Sequence, residues 1–318
     1  MKISVIIPCY NSYKFMYNCL SALENQSIKD FEIIVIDDCS KDNSYIELLN
    51  YQKNTKLDMK VLKLNKNSGP GVARNEGIKK AKGDYIIFCD SDDWYEKNSI
   101  QILIEKIKKE NLEIILYDYN KIIKNRKVKA NSLEKLNLIS AKEEIIANAE
   151  QSLCCMCIKR SLFYNIEIPS LYNGEDVAIV PILLLKAKKI NILQEALYNY
   201  YFRENSSSNR VSMRIPNQLL EAFNYIEKNL VDIDSDVKEF IGIKIVLYGV
   251  VLNLLKLKEV HKAKDIILSF EKKYGNWYKN KYLKNLSIIK RLYLYFIKIK
   301  FLILNFIFAK LHEKILNF

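Results

Sequence analysis

Histidine is almost absent. Only His261 and His312 occur in 318 residues. Neither stands in a partner motif, which argues against a His-based catalytic triad or a His-rich metal site. Glycine (8) and proline (5) are scarce as well. Gly69 and Gly71 do not complete a phosphate-loop pattern, so no ATP site follows from them. No uncharged apolar run reaches the ~18 residues that a membrane-spanning helix needs. No signal-peptide pattern opens the sequence: Lys2 is followed by a short run, Ile3 to Pro8, that ends in turn residues rather than a cleavage site. Cysteine is present (7 residues), but the number is odd and Cys155-x-Cys157 lacks zinc-ligand spacing and a matching second pair. The cysteines are expected to be reduced, buried small hydrophobes of a cytosolic protein.

The rest of the composition is that of a globular chain, with 49% apolar and 27% charged residues. The length suffices for one large domain or two modest ones. The formal net charge is +13. Nucleic acid, an anionic membrane surface or a phosphate-bearing substrate could each account for it, and the location of the charge decides among them.

Ile3 to Pro8 is short, β-branched and nearly all apolar, the pattern of a strand buried on both faces. Further strands are predicted at Phe31–Ile36, Met59–Leu64, Tyr85–Cys89 and Leu112–Tyr119. Helical spacing falls between them, at Lys14–Gln26, Asn43–Tyr51, Val72–Ala81 and Asn98–Lys109. This alternation predicts an α/β fold with an open, doubly wound sheet. Ligands of such sheets sit at the carboxyl ends of the strands. Three polar clusters fall there: Cys9–Asn11, Asp37–Ser40 and Asp90–Asp93. After about Ser140 the pattern changes. A helix is predicted at Ala141–Asn148, a Cys-rich apolar segment at Gln151–Ile158 and a buried helix at Ala178–Ala187. Glu204–Asn209 is a Ser/Asn-rich loop, the best candidate for a mobile segment or boundary. Everything from Ile215 onward reads as helical.

Asp90-Ser91-Asp92-Asp93 at a strand end suits a hard divalent cation such as Mg²⁺ or Mn²⁺, which takes oxygen ligands and keeps a substrate's phosphates in its shell. Composition alone is weak support. Chance placement of the 15 Asp residues gives about 0.7 Asp-x-Asp pairs. The chain also holds a decoy, Asp232-Ile-Asp234-Ser-Asp236, which lacks the glycine and closing glutamate of a calcium loop and reads as helix capping.

Four blocks occur in order: Ser4-Val-Ile-Ile-Pro8-x-Tyr10-Asn11, Phe31-Glu-Ile-Ile-Val-Ile-Asp37-Asp38-x-Ser40-x-Asp42, Gly71-Val-Ala-Arg74-Asn75-x-Gly77 and Gly83-Asp-Tyr-Ile-Ile-Phe-x-Asp90-Ser-Asp92-Asp93. Together they resemble the family 2 glycosyltransferases of the GT-A fold. The resemblance is strong over residues 1–120. It continues more weakly through Lys159–Phe163, Gly174–Val177 and Tyr200–Arg203, and fades beyond about residue 215. It implies an inverting, metal-dependent enzyme that moves a hexose or N-acetylhexosamine from a UDP-sugar to a saccharide acceptor in surface-glycan synthesis, such as lipooligosaccharide, capsule or a lipid-linked oligosaccharide. It also implies roles. Pro8, Tyr10 and Asn11 line the nucleotide pocket, and Asp38 accepts from the uracil ring. Arg74 lies on the nucleotide side. Asp92 binds the metal directly, Asp90 lies nearer the ribose as a second metal contact, and Ser91 belongs to the nucleotide-sugar site. Asp176, beside Glu175, deprotonates the acceptor hydroxyl.

The residues fit that chemistry on their own terms. A diphosphate leaving group needs charge stabilisation, which a metal and Arg74 supply, and a sugar hydroxyl needs one carboxylate base. Glu175 and Asp176 are the only adjacent carboxylates in an apolar stretch of the second half. In an extended segment neighbouring side chains point opposite ways, so one of the two, Asp176, is expected to face the site. The bland alternatives are that Asp37 and Asp38 cap a helix, that Arg74 is solvated, and that Glu175 and Asp176 cap the helix at Val177. Arg203 and Arg210 are candidates for a diphosphate lid.

The expected organisation is a catalytic domain over 1–210, with a nucleotide-sugar half (1–120) and an acceptor half (121–210), and a helical C-terminal region over 211–318. From Lys281 to Lys314 eight Lys and Arg residues face a single acid, Glu313, among large aliphatics and aromatics. Lys284, Arg291, Lys298, Asn305 and His312 recur every seven residues, one polar stripe on a helix, and the segment is expected to form a helix, or two, lying in a membrane interface. The competing readings are a helix packed on the catalytic domain and a homodimer seam. Nucleic acid is not expected as a partner, because the basic residues alternate with aliphatics instead of forming a polar groove. The expected location is cytoplasmic, peripheral on the cytoplasmic face of the inner membrane.

Two other functions are weighed. A nucleotidyltransferase acting on sugar phosphates requires a Gly-rich basic loop after the first strand, and Pro8-Cys-Tyr-Asn11 is not one. A non-catalytic lipid-surface binding protein predicts loss of Asp92 or Asp176, and both are present.

Overall fold

β1 (Ile3–Cys9), β2 (Phe31–Asp37), β3 (Asp58–Lys63) and β4 (Tyr85–Phe88) form a parallel block in the computed structural model, in spatial order β3-β2-β1-β4. Residues 2–124, 126–136, 140–203 and 212–316 are described, with the backbone alone for 312–316. The nearly all-apolar runs of β1 and β2 suit a sheet covered on both faces; every residue of the two strands except half-buried Pro8 is buried, and Ser4 Oγ donates to Glu32 at 2.7 Å within them. Each such isoleucine or valine contributes about 1.5–3 kcal/mol of burial. Between these strands run α1 (Met16–Glu24), α2 (Ser44–Asn54) and α3 (Pro70–Lys80). The register pairs Cys9 with Asp37 and Asp37 with Lys63, so the carboxyl ends of the block lie level.

The second part of the sheet is mixed. β5 (Trp94–Tyr95), α4 (Ser99–Glu110), β6 (Ile114–Ile123) and β7 (Arg126–Lys129) follow in the chain. β8 (Met156–Lys159) lies between β4 and β6 and is antiparallel to both. It comes from the Cys-rich apolar segment, and its short length suits a slot bordered on both edges. β9 (Ile190–Tyr201) runs parallel to β6 and closes on β5. The alternation pattern did not mark β9, because its burial is interrupted by Gln194 and Glu195 at the bulge near Tyr117 and Asp118.

The buried helix predicted at Ala178–Ala187 begins earlier, as α6 (Glu175–Lys186). Gly174 precedes it at φ +89°, a left-handed geometry open to glycine at little cost. Glu175 and Asp176 are therefore the first turn of a helix. They are neither extended nor the cap, and the expectation that only one of them faces inward fails for this reason.

The chain divides into two compact units. One is Met1–Ser140 with Ala149–Phe202, and the other is Ala141–Asn148 with Arg203–Phe318. The second contains α5 (Lys142–Asn148), which packs with the C-terminal helices although it lies within the sheet's stretch of sequence. Its other helices are α7 (Arg214–Asn229), α8 (Ser235–Gly242), α9 (Val251–Lys256), α10 (Val260–Lys273), α11 (Ile288–Lys298) and α12 (Leu302–Leu316). A π-helical stretch, Ile243–Val250, joins α8 to α9. The unit's core holds Phe223, Phe240, Phe270, Trp277 and Tyr293. The decoy cluster behaves as a cap: Asp234 accepts from the Asp236 amide at 2.9 Å, and Lys281 pairs with Asp234 at 2.5 Å.

The predicted single polar stripe is corrected. Lys284 lies in a separate 3₁₀ turn, and a turn with Lys300 at φ +59° splits α11 from α12. Asn305 is fully buried and donates to the Tyr293 carbonyl at 2.8 Å. Among the described residues no helix is long and apolar enough to cross a membrane.

Candidate functional site

The three polar clusters converge at the carboxyl edge of the parallel block. Asn11, at φ +51° just after β1, donates its amide to Ser40 Oγ at 3.0 Å, and its side-chain oxygen accepts from the Lys41 amide at 2.8 Å. Ser12 Oγ and Ser91 Oγ lie 2.6 Å apart. These contacts join the first loop to both Asp loops. Ser91 is buried, whereas Tyr10 is 41% exposed at the rim. Pro8, at the end of β1, is half-buried.

Asp38 is buried and braces the loop before α3. Its two oxygens accept from the Ser68 amide at 2.7 Å and the Gly69 amide at 2.8 Å. Burial pushes its pKa up, against the pull of those two amides, and neighbouring Asp37 adds to the rise. Neither Asp caps α2, whose preceding residue is Asn43. Asp37 instead accepts from the Ser40 amide at 3.1 Å. Gly69, at φ +89°, lets the chain turn from this brace directly into α3.

Arg74 on α3 is the centre of the constellation. It is buried, not solvated, with its side chain 3% exposed. Its Nη2 donates to Asp90 at 2.9 Å, and its Nη1 to Glu175 at 2.7 Å and Asp176 at 3.1 Å. Burial opposes its charge, but the three carboxylates hold its pKa well above the ordinary value. One guanidinium thus ties the Asp motif after β4 to the first turn of α6. It is engaged on the protein's own carboxylates, a position the sequence could not indicate. Both Glu175 and Asp176 reach it, which a helical first turn allows and an extended segment does not.

Asp176 Oδ2 also accepts from the Leu153 amide at 3.1 Å. Burial raises the Asp176 pKa to about 7, over the opposing pull of Arg74, with Glu175 and Asp90 adding to the rise. A carboxylate poised there, still one-fifth exposed, has the properties of a general base.

The Asp motif splits by direction. Asp90 and Asp92 are partly exposed, and Asp90 remains 41% open at its side chain. Asp93 turns inward. It accepts from Tyr198 Oη at 2.7 Å and the Tyr201 amide at 2.7 Å, and burial raises its pKa well above normal, with Asp92 and Asp90 adding to the rise. Tyr198 Oη in turn accepts from the Asp90 amide at 3.1 Å. Tyr198 thus links the end of β9 to the motif. Sequence reasoning missed it, since β9 itself was not predicted. Two carboxylates, Asp90 and Asp92, fit a hard cation that is held mostly by water and a ligand's phosphates. Asp93 does not fit, being taken up inside the fold. Among the described residues no group of three or more His, Cys, Asp or Glu side chains is ready to hold a metal.

The cysteines are all free. Six are buried and Cys39 is half-buried. Arg203 is half-buried, directly after Phe202. Arg210 and the Glu204–Asn209 loop lie outside the described residues.

A sheet of this topology, with an acidic motif after β4 and a carboxylate at the start of α6, is the GT-A fold. The glycosyl transferase family 2 model matches residues 4–166, and the chain belongs to that family. Similar proteins include the poly(ribitol-phosphate) beta-glucosyltransferase of Bacillus spizizenii, 34% identical over 64% of this chain and 32% of that one. Another is the poly(ribitol-phosphate) beta-N-acetylglucosaminyltransferase TarP of Staphylococcus aureus, 31% identical over 71% of each. The matched segment thus spans about a third of the first relative's length. The fold is similar to that of S. aureus TarS residues 1–349, crystallised with UDP-GlcNAc (TM-score 0.73, 24% identity), over 94% of this chain and 88% of that one.

Proposed function

We propose that this protein is an inverting glycosyltransferase that moves a hexose or N-acetylhexosamine from a UDP-sugar to an acceptor hydroxyl of a surface glycan. The observation that carries the reading is the Arg74 cage, which holds the nucleotide-side Asp motif and a carboxylate poised near neutrality in one constellation. Family membership and the printed activities of the relatives support the class and the UDP-sugar donor. The relatives' poly(ribitol-phosphate) acceptors favour an anionic cell-wall polymer, with lipooligosaccharide, capsule and lipid-linked oligosaccharide as further surface-glycan acceptors. Acceptors of this kind assemble at membranes, which is consistent with a peripheral position on the cytoplasmic face.

In this reading Tyr10, Asn11 and Asp38 form the uridine pocket at the rim of β1 and β2, and Pro8 shapes its floor. Asp92, with Asp90, would hold Mn²⁺ or Mg²⁺, and such an ion would offset charge on the diphosphate. Asp176 takes the proton of the acceptor hydroxyl as that oxygen bonds to the anomeric carbon. The bond from that carbon to the diphosphate oxygen breaks in the same displacement, and UDP leaves. Attack from the face opposite the leaving group inverts the anomeric centre. Glu175 and Arg74 position Asp176 and keep its charge balanced.

The test is hydrolysis and transfer with a panel of UDP-sugars, with Mn²⁺ or Mg²⁺ and with EDTA, comparing wild type with Asp92→Ala. Metal-dependent turnover of one UDP-sugar, lost in the variant, is expected. No binding or turnover of any UDP-sugar by folded, metal-supplied protein would overturn the uridine assignment of Asp38.

A further inference from the structure

We propose that the outward faces of α11 and α12 form a docking surface for an anionic lipid bilayer. On α11, Ile288, Leu292 and Tyr295, and Ile299 just after it, stand three or four residues apart and are exposed, Ile288 by 68%. Tyr293, Leu294 and Ile297, on the opposite side of the same helix, are buried. On α12, Ile303, Ile307 and Leu311 repeat every four residues and are exposed, Ile303 by 66%, while Asn305 and Ala309 are buried. Each helix therefore has one side in the protein's own core and a second, apolar side that the chain leaves in water. The inner sides pack on each other through Tyr293 and Phe308, whose rings are 5.0 Å apart, and through the Asn305–Tyr293 hydrogen bond. That contact holds the two helices as one element. Contiguous exposed apolar faces of this extent mark interaction surfaces.

Charge identifies the occupant. Between Glu271 and Glu313 the sequence contains no Asp or Glu, and Arg291 and Lys310 lie exposed beside the apolar faces, while Lys300 pairs with Glu271 at 3.7 Å. A second copy of this chain, at net charge +13, would bring like charge to the exposed cations of this face. An anionic bilayer takes the isoleucines into its acyl boundary and pairs the cations with its headgroups. A hydrophilic polyanion matches the cations but leaves the isoleucines exposed.

The test is cosedimentation of the full chain with phosphatidylcholine vesicles that contain about one-third phosphatidylglycerol, or none. Vesicle binding is read without turnover, so its outcome is separate from that of the catalytic reading. Wild type is expected to bind the anionic vesicles at least about tenfold better than the neutral ones. Leu292→Glu combined with Ile303→Glu should lose that binding by at least about tenfold while UDP-sugar hydrolysis stays unchanged. Arg291→Gln combined with Lys310→Gln should narrow the preference for anionic vesicles. Two outcomes overturn the proposal. One is failure of wild type to bind either vesicle. The other is a wild-type dimer in light scattering that Leu292→Glu with Ile303→Glu converts to monomer, which would assign the surface to a second copy of the chain.

Discussion

Asp90–Asp93 and Asp232–Asp236 are each rich in aspartate, and their surroundings differ entirely. The first follows a fully buried strand. One of its carboxylates pairs with a guanidinium that is 3% exposed, another is enclosed by Tyr198 and the Tyr201 amide, and the remaining one, Asp92, is half-buried. The second starts a helix at the surface: Asp234 caps α8, and the partner of Asp234 and Asp236 is Lys281, half exposed at its side chain. Burial accounts for the difference. A charge pair in water contributes about 0–1 kcal/mol. Removing one partner of a buried set leaves uncompensated charge at a cost of about 3–5 kcal/mol.

The two clusters should therefore respond differently to mutation. The largest expected effect is on transfer: Asp176→Asn should lower kcat about 10²–10⁴-fold with UDP affinity kept, as measured by initial rates and calorimetry. Next is stability. Arg74→Met should cost about 3–5 kcal/mol in denaturant unfolding, because Glu175, Asp176 and Asp90 lose a shared partner. If the Arg74 cage were as solvated as the Lys281 pairs, the cost would be under about 1 kcal/mol.

A pH series sharpens the comparison further. Acting as a base, Asp176 must be ionised, so kcat/KM should rise with pH and level off above about 7. Stability should move the other way. The folded pKa is raised above the ordinary carboxylate value near 3.9, so this group's stabilisation is present at low pH and lost as pH rises through about 7. Asp176→Asn should flatten both curves around neutrality. The smallest effect belongs to the second cluster: Asp234→Ala should cost about 0.5–2 kcal/mol as a lost cap and leave turnover unchanged.

Much of the sheet could be read from the sequence. β1, β2 and β4 announce themselves as nearly continuous apolar runs, and a run that ends in polar residues places those residues at the strand's carboxyl edge. The same logic located Asp38, Asp90 and Asp92. What the sequence did not carry was direction and long-range pairing. Nothing local states that Asp93 points inward, because its partners Tyr198 and Tyr201 lie more than a hundred residues away on a strand broken by a bulge. Arg74 could be quoted from its motif, yet its three partners come from two other elements. Glu175 and Asp176 were placed in an extended segment because the helix start depends on Gly174 adopting φ +89°, which a lone glycine does not advertise. The heptad of polar residues near the C-terminus was a coincidence of spacing across a turn, with Asn305 on the buried side.

Hydrogen exchange with and without saturating UDP, with Mn²⁺ or Mg²⁺ present, tests most directly the claim that the carboxyl edge of the parallel strands is the nucleotide-sugar site. Protection is expected in peptides covering residues 9–12, 38–40, 66–74 and 90–93, with no change over 232–239. Protection confined to other segments, or none at saturating UDP, would contradict it.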